Sequence, residues 1–309
     1  MGKSTHDDDP KLKHLSNSEI VLTSLTAGAI AGALAKTTIA PLDRTKINFQ
    51  ISHKPYSTRK ALKFLVETFK KQGFFALWRG NSATMARIVP YCAIQFTAHE
   101  QWKRVLKVDQ QNGTPERLFL AGSLAGVTSQ ALTYPLDLAR ARMAVTHKLE
   151  YSTLRHVFSK IYSFEGMNAF YKGFIPTIVG VIPYAGVSFF TYDSLKKHYR
   201  DHINNSYVIH PLASLIFGAI AGVLGQTSSY PFDIIRRRMQ TDTTGRYPNM
   251  YKTVLYVYKT EGIKKGFYKG LSMNWIKGPI AVGISYSTYD NIRDLLRKFV
   301  IKLKNESLT

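Results

Sequence analysis

A Pro-x-Asp-x-x-basic run occurs three times in this chain. The copies are Pro41-Leu42-Asp43-Arg44-Thr45-Lys46, Pro135-Leu136-Asp137-Leu138-Ala139-Arg140 and Pro231-Phe232-Asp233-Ile234-Ile235-Arg236, at spacings of 94 and 96 residues. A second marker follows each copy: Gln72-Gly73…Trp78-Arg79-Gly80, Glu165-Gly166…Tyr171-Lys172-Gly173 and Glu261-Gly262…Tyr268-Lys269-Gly270. Two linked motifs held in register three times make the chain a tandem triplication. The period exceeds that of the usual solenoid repeats, and each unit is large enough for several helices. The expected organisation is a polar tail at 1–18, repeats at 19–109, 110–204 and 205–300, and a short tail at 301–309.

Hydropathy decides the solvent. Uncharged stretches run from Ile20 to Ala35, Leu118 to Leu136, Gly173 to Tyr192 and Pro211 to Phe232, lengths of 16, 19, 20 and 22 residues. A helix needs about 20 residues to cross hydrocarbon. Two weaker candidates begin after Gly80 and Gly270 and are interrupted by Arg87 and Lys277. Each repeat thus supplies two spans, and the fold class is an all-α membrane protein of six transmembrane helices. Between the two spans lies a short amphipathic stretch. Leu154, Val157, Phe158 and Ile161 share a face in the second unit, as do Leu62, Leu65 and Phe69 in the first. These predict helices lying along the membrane surface. The pairs Gly28/Gly32, Gly122/Gly126 and Gly218/Gly222 open the first helix of each unit with small-residue faces suited to close packing in lipid.

The formal net charge is +22. The basic residues flank the apolar stretches instead of forming one patch, which argues against a nucleic-acid surface and points to anionic membrane lipid. A lone cysteine, Cys92, excludes an internal disulfide framework and a cysteine metal cluster. Residues 1–13 are polar and lack the apolar centre of a signal peptide. No nucleophile–base pair stands out and no His-x-x-x-His pair falls in a predicted span, so no catalytic group, metal site or cofactor is expected.

Near the far end of each second helix stand Glu100, Asp193 and Asp290, each followed three residues later by Lys103, Lys196 or Arg293. Such neighbours can pair within one helix for a few tenths of a kcal/mol. Threefold repetition favours another arrangement. If the repeats close into a ring, Asp43 meets Arg140, Asp137 meets Arg236 and Asp233 meets Lys46. At the other end Glu100 meets Lys196, Asp193 meets Arg293 and Asp290 meets Lys103. Partly solvated ion pairs contribute little net free energy, which suits two gates that a ligand exchanges.

These residues resemble the mitochondrial carrier family over Ile20 to about Lys302. The resemblance implies a pseudo-threefold six-helix bundle in the inner mitochondrial membrane. It implies alternating access, operation as a monomer, and no cleavable presequence. It also implies a glutamine brace below the matrix ring, nine residues after each proline: Gln50 and Gln240 match, and Ala144 does not. Tyr192 and Tyr289 stand beside the cytoplasmic ring, with His99 in the first repeat. Gln72 replaces the usual acid. Weaker bracing is expected on those sides.

A small asymmetric substrate requires the repeats to differ. Five residues before each proline stand Lys36, Gln130 and Gln226; seven after each marker glycine stand Arg87, Gly180 and Lys277. Lys36, Arg87 and Lys277 are therefore cations within spans, where exposure to lipid is costly, and a water-facing anion site is the natural reading. Arg87 offers a planar fork for phosphate oxygens, and the lysines act as point charges. Gly180-Val181 with Tyr184 forms a small-residue notch beside a ring, suited to a flat base or simply to helix packing. Family comparison adds Ser229 near the base and Gln95, Ser188 and Ser285 as cavity candidates.

The run Arg236-Arg237-Arg238-Met239-Gln240-Thr241 departs from the triple arginine and triple methionine of ADP/ATP carriers. Ala35-Lys36-Thr37, Trp78-Arg79-Gly80-Asn81-Ser82-Ala83-Thr84-Met85 and Leu271-Ser272-Met273-Asn274-Trp275-Ile276-Lys277-Gly278-Pro279 resemble the family's coenzyme A carriers. That implies exchange of coenzyme A, dephospho-coenzyme A or adenosine 3′,5′-bisphosphate against adenine nucleotides. The rival readings are an ADP/ATP-type carrier and a structural membrane protein that transports nothing.

Overall fold

The structure, a computed structural model, describes residues 15–52, 56–108, 114–146, 150–202 and 210–307. Most of the polar N-terminal tail lies outside the described residues. The described parts are mainly helical, with six long helices and three short ones in the order long, short, long, three times over. The long helices are α1 (Asn17–Ile51), α3 (Asn81–Val105), α4 (Pro115–Val145), α6 (Phe174–His202), α7 (Pro211–Thr241) and α9 (Leu271–Ser307). The short ones are α2 (Thr58–Gln72), α5 (Leu154–Glu165) and α8 (Met250–Gly262). Among the described residues, three stretches are long and apolar enough by composition to cross a membrane: Ser18–Ile51, Met167–His202 and Leu212–Thr241. Arg87 and Lys277 interrupt α3 and α9, and Gly, Ser and Thr dilute α4.

Each short helix starts on a side-chain cap at the same register. Ser57 accepts from the Lys60 amide at 3.4 Å, Thr153 from His156 at 3.2 Å, and Asn249 from Lys252 at 2.9 Å. A side-chain oxygen at this position satisfies an amide that the first helical turn leaves without a partner. The apolar face of α5, read as a membrane-surface face, packs on protein instead: Val157 and Ile161 are buried with Leu138, Met143 and Phe170, with Leu154 and Phe158 beside them. The first unit differs. In α2 the buried residues are Ala61 and Thr68, while Leu62, Val66 and Phe69 are exposed, as are Phe74 and Phe75 just beyond. This exposed apolar stripe is the face a membrane-surface helix gives to lipid.

The chain divides into two compact units, one of residues up to Ala40 with those from Ile276 onward, the other Pro41–Trp275. In the first, Lys304 pairs with Glu19 at 2.7 Å, and Arg297 donates to the Ser24 hydroxyl at 3.4 Å. In the second, α3 packs along α4 and α6 along α7, and α4 meets α7. The motif prolines all lie inside helices, as do Pro90, Pro183 and Pro279, a second in-register set that marks α3, α6 and α9.

The marker glycines explain themselves by conformation. Gly80 and Gly173 have φ of 90° and 83°, a region L-residues avoid. A Cβ on Gly80 would also lie 3.0 Å from the Arg140 carbonyl, and one on Gly173 would lie 2.9 Å from that of Arg236. Each glycine thus lets the start of one repeat's second long helix press against the motif helix of the next.

Candidate functional site

All three ion pairs expected from the motif acids are formed. Asp43 pairs with Arg140, Asp137 with Arg236 at 2.5 Å, and Asp233 with Lys46 at 3.1 Å. Each pair joins two repeats. Below them, Gln50 donates to the Tyr230 hydroxyl at 3.3 Å. Gln240 donates to the Tyr134 hydroxyl at 3.0 Å and to Asp137 at 2.8 Å. Tyr134 and Tyr230, fully buried immediately before Pro135 and Pro231, are partners the sequence reading missed. Their rings also carry the cations, with Lys46 5.1 Å from the Tyr230 centroid and the Arg236 guanidinium 5.9 Å from that of Tyr134. The first repeat has Ala40 at the tyrosine position and the second has Ala144 at the glutamine position. One tyrosine–glutamine contact is therefore lost from both sides at once, so neither polar group is left buried alone.

A second ring of contacts lies beside the motif pairs. Arg142 donates to the Gln240 carbonyl at 3.0 Å and holds Glu165, which also accepts from Lys172 at 2.7 Å. Arg238 donates to the Gln50 carbonyl at 3.2 Å and holds Glu261 at 2.7 Å, with Lys269 at 3.2 Å from the same carboxylate. In the first repeat these positions are Asn48, Gln72 and Arg79. There Arg44 takes over: it donates to the Ala144 carbonyl and to Gln72 Oε1, both at 3.1 Å, and to the Ala76 carbonyl. Asn48 adds a 3.0 Å bond to the same Ala144 carbonyl. The expected weak brace at Gln72 is thus filled by an arginine from a neighbouring register.

Burial disfavours the charged form of Glu165, but the bonds from Arg142 and Lys172 outweigh it and hold the carboxyl below its ordinary value. Glu261 behaves alike, with Arg238 and Lys269 overcoming desolvation.

The far-end acids behave differently from the ring expectation. Glu100 takes Lys103 of its own helix at 3.1 Å instead of Lys196. Asp290 takes Arg293 of its own helix at 3.3 Å, and the guanidinium lies 5.5 Å from the Tyr289 ring centroid. Glu100 and Asp290 are largely exposed. A neighbour three residues along is within reach without any helix moving, so the local pair forms first. Asp193 is exposed, and Tyr192 and Lys196 are half-buried on α6.

Of the cavity candidates, Arg87 is the most tightly held. Its guanidinium donates to Asp137 at 3.2 Å, Gln130 at 2.6 Å and Thr133 at 3.2 Å, and stacks 4.9 Å from the Tyr91 centroid. The reading of Arg87 as an intramembrane cation did not foresee this attachment to a motif acid. Lys36 is exposed on α1 and Lys277 half-buried on α9, in the unit that does not contain Arg87. Gly180 is a packing glycine: a Cβ there would lie 3.0 Å from Phe232 Cβ on α7. Val181 and Tyr184 are exposed beside it. Ser188 donates to the Ala221 carbonyl at 3.2 Å, so its hydroxyl serves the α6–α7 contact. Ser229 donates to the Gln226 carbonyl of its own helix at 3.3 Å, and Gln95 and Ser285 are half-buried.

Comparison with known proteins agrees with this layout. The family described as mitochondrial carrier protein matches three times, over residues 17–110, 111–203 and 208–300. The human protein named mitochondrial coenzyme A transporter SLC25A42 is 54% identical over 285 residues, covering 90% of this chain and 89% of its own. Its Danio rerio counterpart is also 54% identical over 285 residues, covering 90% and 88%. Human solute carrier family 25 member 16 is 41% identical over 287 residues, covering 87% and 86%.

Proposed function

The chain belongs to the mitochondrial carrier family, as a transporter of the mitochondrial inner membrane and not an enzyme, and from that premise we propose that it exchanges coenzyme A or a close relative for adenine nucleotides. The observation that carries the reading is the excess of guanidinium over carboxylate around Asp137. Arg87, Arg236 and Arg237 all reach this one acid, so the floor of the site is positive before any substrate arrives. A phosphate-bearing ligand matches that surplus, and forked arginines bind phosphate oxygens better than a point charge does. Lys36 and Lys277 occupy the substrate positions of the other repeats. It is the repeat register that groups them with Arg87. The names of the most similar relatives make coenzyme A the first candidate among adenine-containing polyphosphates.

Transport proceeds by alternating access in this reading. The Asp43–Arg140, Asp137–Arg236 and Asp233–Lys46 pairs close the matrix side. On the cytoplasmic side, Glu100 and Asp290 rest on their own helices, ready to be re-paired between repeats. The carrier works as a monomer among anionic lipids. A surface cavity of about 610 Å³ lined by Phe74, Phe75, Trp78, Arg79, Gly80 and Ser82 joins exposed aromatics to an arginine, and we place a cardiolipin-type headgroup there.

The test is competition for labelled ADP entering ADP-loaded vesicles that hold the purified protein. Coenzyme A, dephospho-coenzyme A and adenosine 3′,5′-bisphosphate should each suppress uptake. Suppression by ATP alone would move the chain to the ADP/ATP-type carriers, and an inert protein would favour the structural reading.

A further inference from the structure

The three motif acids are not equivalent. Among the described residues, Asp233 has one ion pair, with Lys46. Asp137 is 1% exposed and receives Arg236 at 2.5 Å, Arg87 at 3.2 Å, Arg237 at 3.5 Å and the Gln240 amide at 2.8 Å. One carboxylate neutralises one of three guanidiniums. The other two are largely buried as well, with side-chain exposures of 19% for Arg87 and 12% for Arg237. Leaving such charge uncompensated away from water is costly, and a mobile polyanion is the group that relieves it.

Two further donors point to the same ligand chemistry. The Gln130 side chain accepts from Arg87 through Oε1, which fixes its orientation, and its amide nitrogen is buried without a hydrogen-bond partner. The Nε of Arg236 is likewise buried without a partner. A buried donor without a partner in the protein has a hydrogen bond to offer an acceptor from outside it. Gln130 stands on α4 with Asp137, and Arg236 reaches that carboxylate from α7 as Arg87 does from α3.

We propose that Asp137 is an internal stand-in for the substrate's phosphate. In the empty carrier it holds Arg87 and Arg237; a bound polyphosphate takes both guanidiniums from it, which makes Arg237 a substrate-binding residue and leaves the Asp137–Arg236 pair weaker. The idea rests on the anion-carrier reading above, but on phosphate in general and not on coenzyme A. It supplies the differential interaction that a ligand must have with two states in order to shift them. A phosphate offers more oxygens and more charge than the carboxylate it displaces, so the exchange favours the ligand while remaining reversible.

The test is thermal unfolding of the purified protein, titrated with sodium tripolyphosphate at constant ionic strength. Asp137→Asn keeps the shape and removes the competitor, so it should half-saturate at a concentration roughly tenfold or more below wild type. Arg237→Gln keeps a polar partner for Gln240 and should need several-fold more than wild type, as a lost phosphate contact requires. Asp233→Asn, which loosens a motif pair without touching Arg87, should lower half-saturation by much less than Asp137→Asn does. Equal half-saturation for Asp137→Asn and wild type would overturn the proposal, as would an equal fall for Asp233→Asn or no effect of tripolyphosphate on any of them. If coenzyme A fails to stabilise a protein that tripolyphosphate stabilises in the predicted order, the substrate reading falls and the competition stands.

Discussion

Arg87 shows what a single residue adds to a repeat protein. Gly180 and Lys277 hold the same register in the other repeats, so an arginine here breaks a symmetry that folding alone would keep. The helix pair α3–α4 then gives it Thr133, Gln130 and Asp137 as partners. We expect Arg87→Gln to lower exchange by roughly tenfold or more, the scale of one lost charge-assisted contact to substrate, while the protein stays folded. Initial uptake rates beside thermal midpoints check this; wild-type uptake would remove Arg87 from the site. The cation was legible because a charge inside an apolar stretch demands an explanation. Its link to Asp137 was not, because 50 residues separate them and no pattern in sequence fixes a rotamer. Arg44 is a similar case. It fills a place that the other repeats give to Arg142 and Arg238, from a different position along its helix, so aligning the repeats column by column hides it.

At the scale of elements, most of the fold was legible: the motif spacing, the apolar stretches and the amphipathic faces gave the number and order of helices. The caps Ser57, Thr153 and Asn249 and the prolines Pro90, Pro183 and Pro279 repeat just as regularly, and reading them would have sharpened the boundaries. The apolar face of α2 was legible as a membrane-surface face, whereas that of α5 turned out to pack on protein. In α2, Leu62, Val66 and Phe69 are exposed while Ala61 and Thr68 are buried, which inverts the pattern a soluble helix shows. The marker glycines carry a prediction at this scale. Gly173→Ala must place a side chain at φ of 83° and 2.9 Å from the Arg236 carbonyl, and should cost about 1–3 kcal/mol. A clearly lowered thermal midpoint is the expected result, against little change for Gly186→Ala, where a Cβ meets nothing within 4 Å.

The short helices also give the carrier an acid dependence. The Glu165 and Glu261 carboxyls are desolvated, yet their arginine and lysine partners hold them below the ordinary value of 4.5. A lowered folded value means stabilisation that is complete above the unfolded value and is lost as pH falls through the folded one. The thermal midpoint should therefore hold from neutral pH to about 5 and decline below the ordinary carboxylate range. The double variant Glu165→Gln, Glu261→Gln should start lower at pH 7 and decline less steeply. The first repeat, with Gln72 in this place, contributes no such dependence.

For the whole molecule, triplication supplies a machine with the same latch made three times, and asymmetry supplies the cargo. The acid–base motif joins each repeat to the next through Asp43–Arg140, Asp137–Arg236 and Asp233–Lys46, while Glu100 and Asp290 at the other end pair locally. In the proposed alternating-access cycle, motif pairs made between repeats and far-end pairs made within helices correspond to a carrier latched at the motif side. Pairs of this kind contribute little net stability, so a bound ligand with modest preference is enough to move them. In the proposed competition, a surplus of buried positive charge makes the empty transition costly, because Arg87 and Arg237 lose a carboxylate when Asp137 leaves them. On the proposed reading, movement of the loaded form alone would make the carrier an obligatory exchanger. The most direct measurement is uptake of labelled coenzyme A into vesicles holding the purified protein, with and without ADP inside. The account predicts uptake that depends on internal ADP and is matched by its release; equal uptake into empty vesicles, or none into loaded ones, would contradict it.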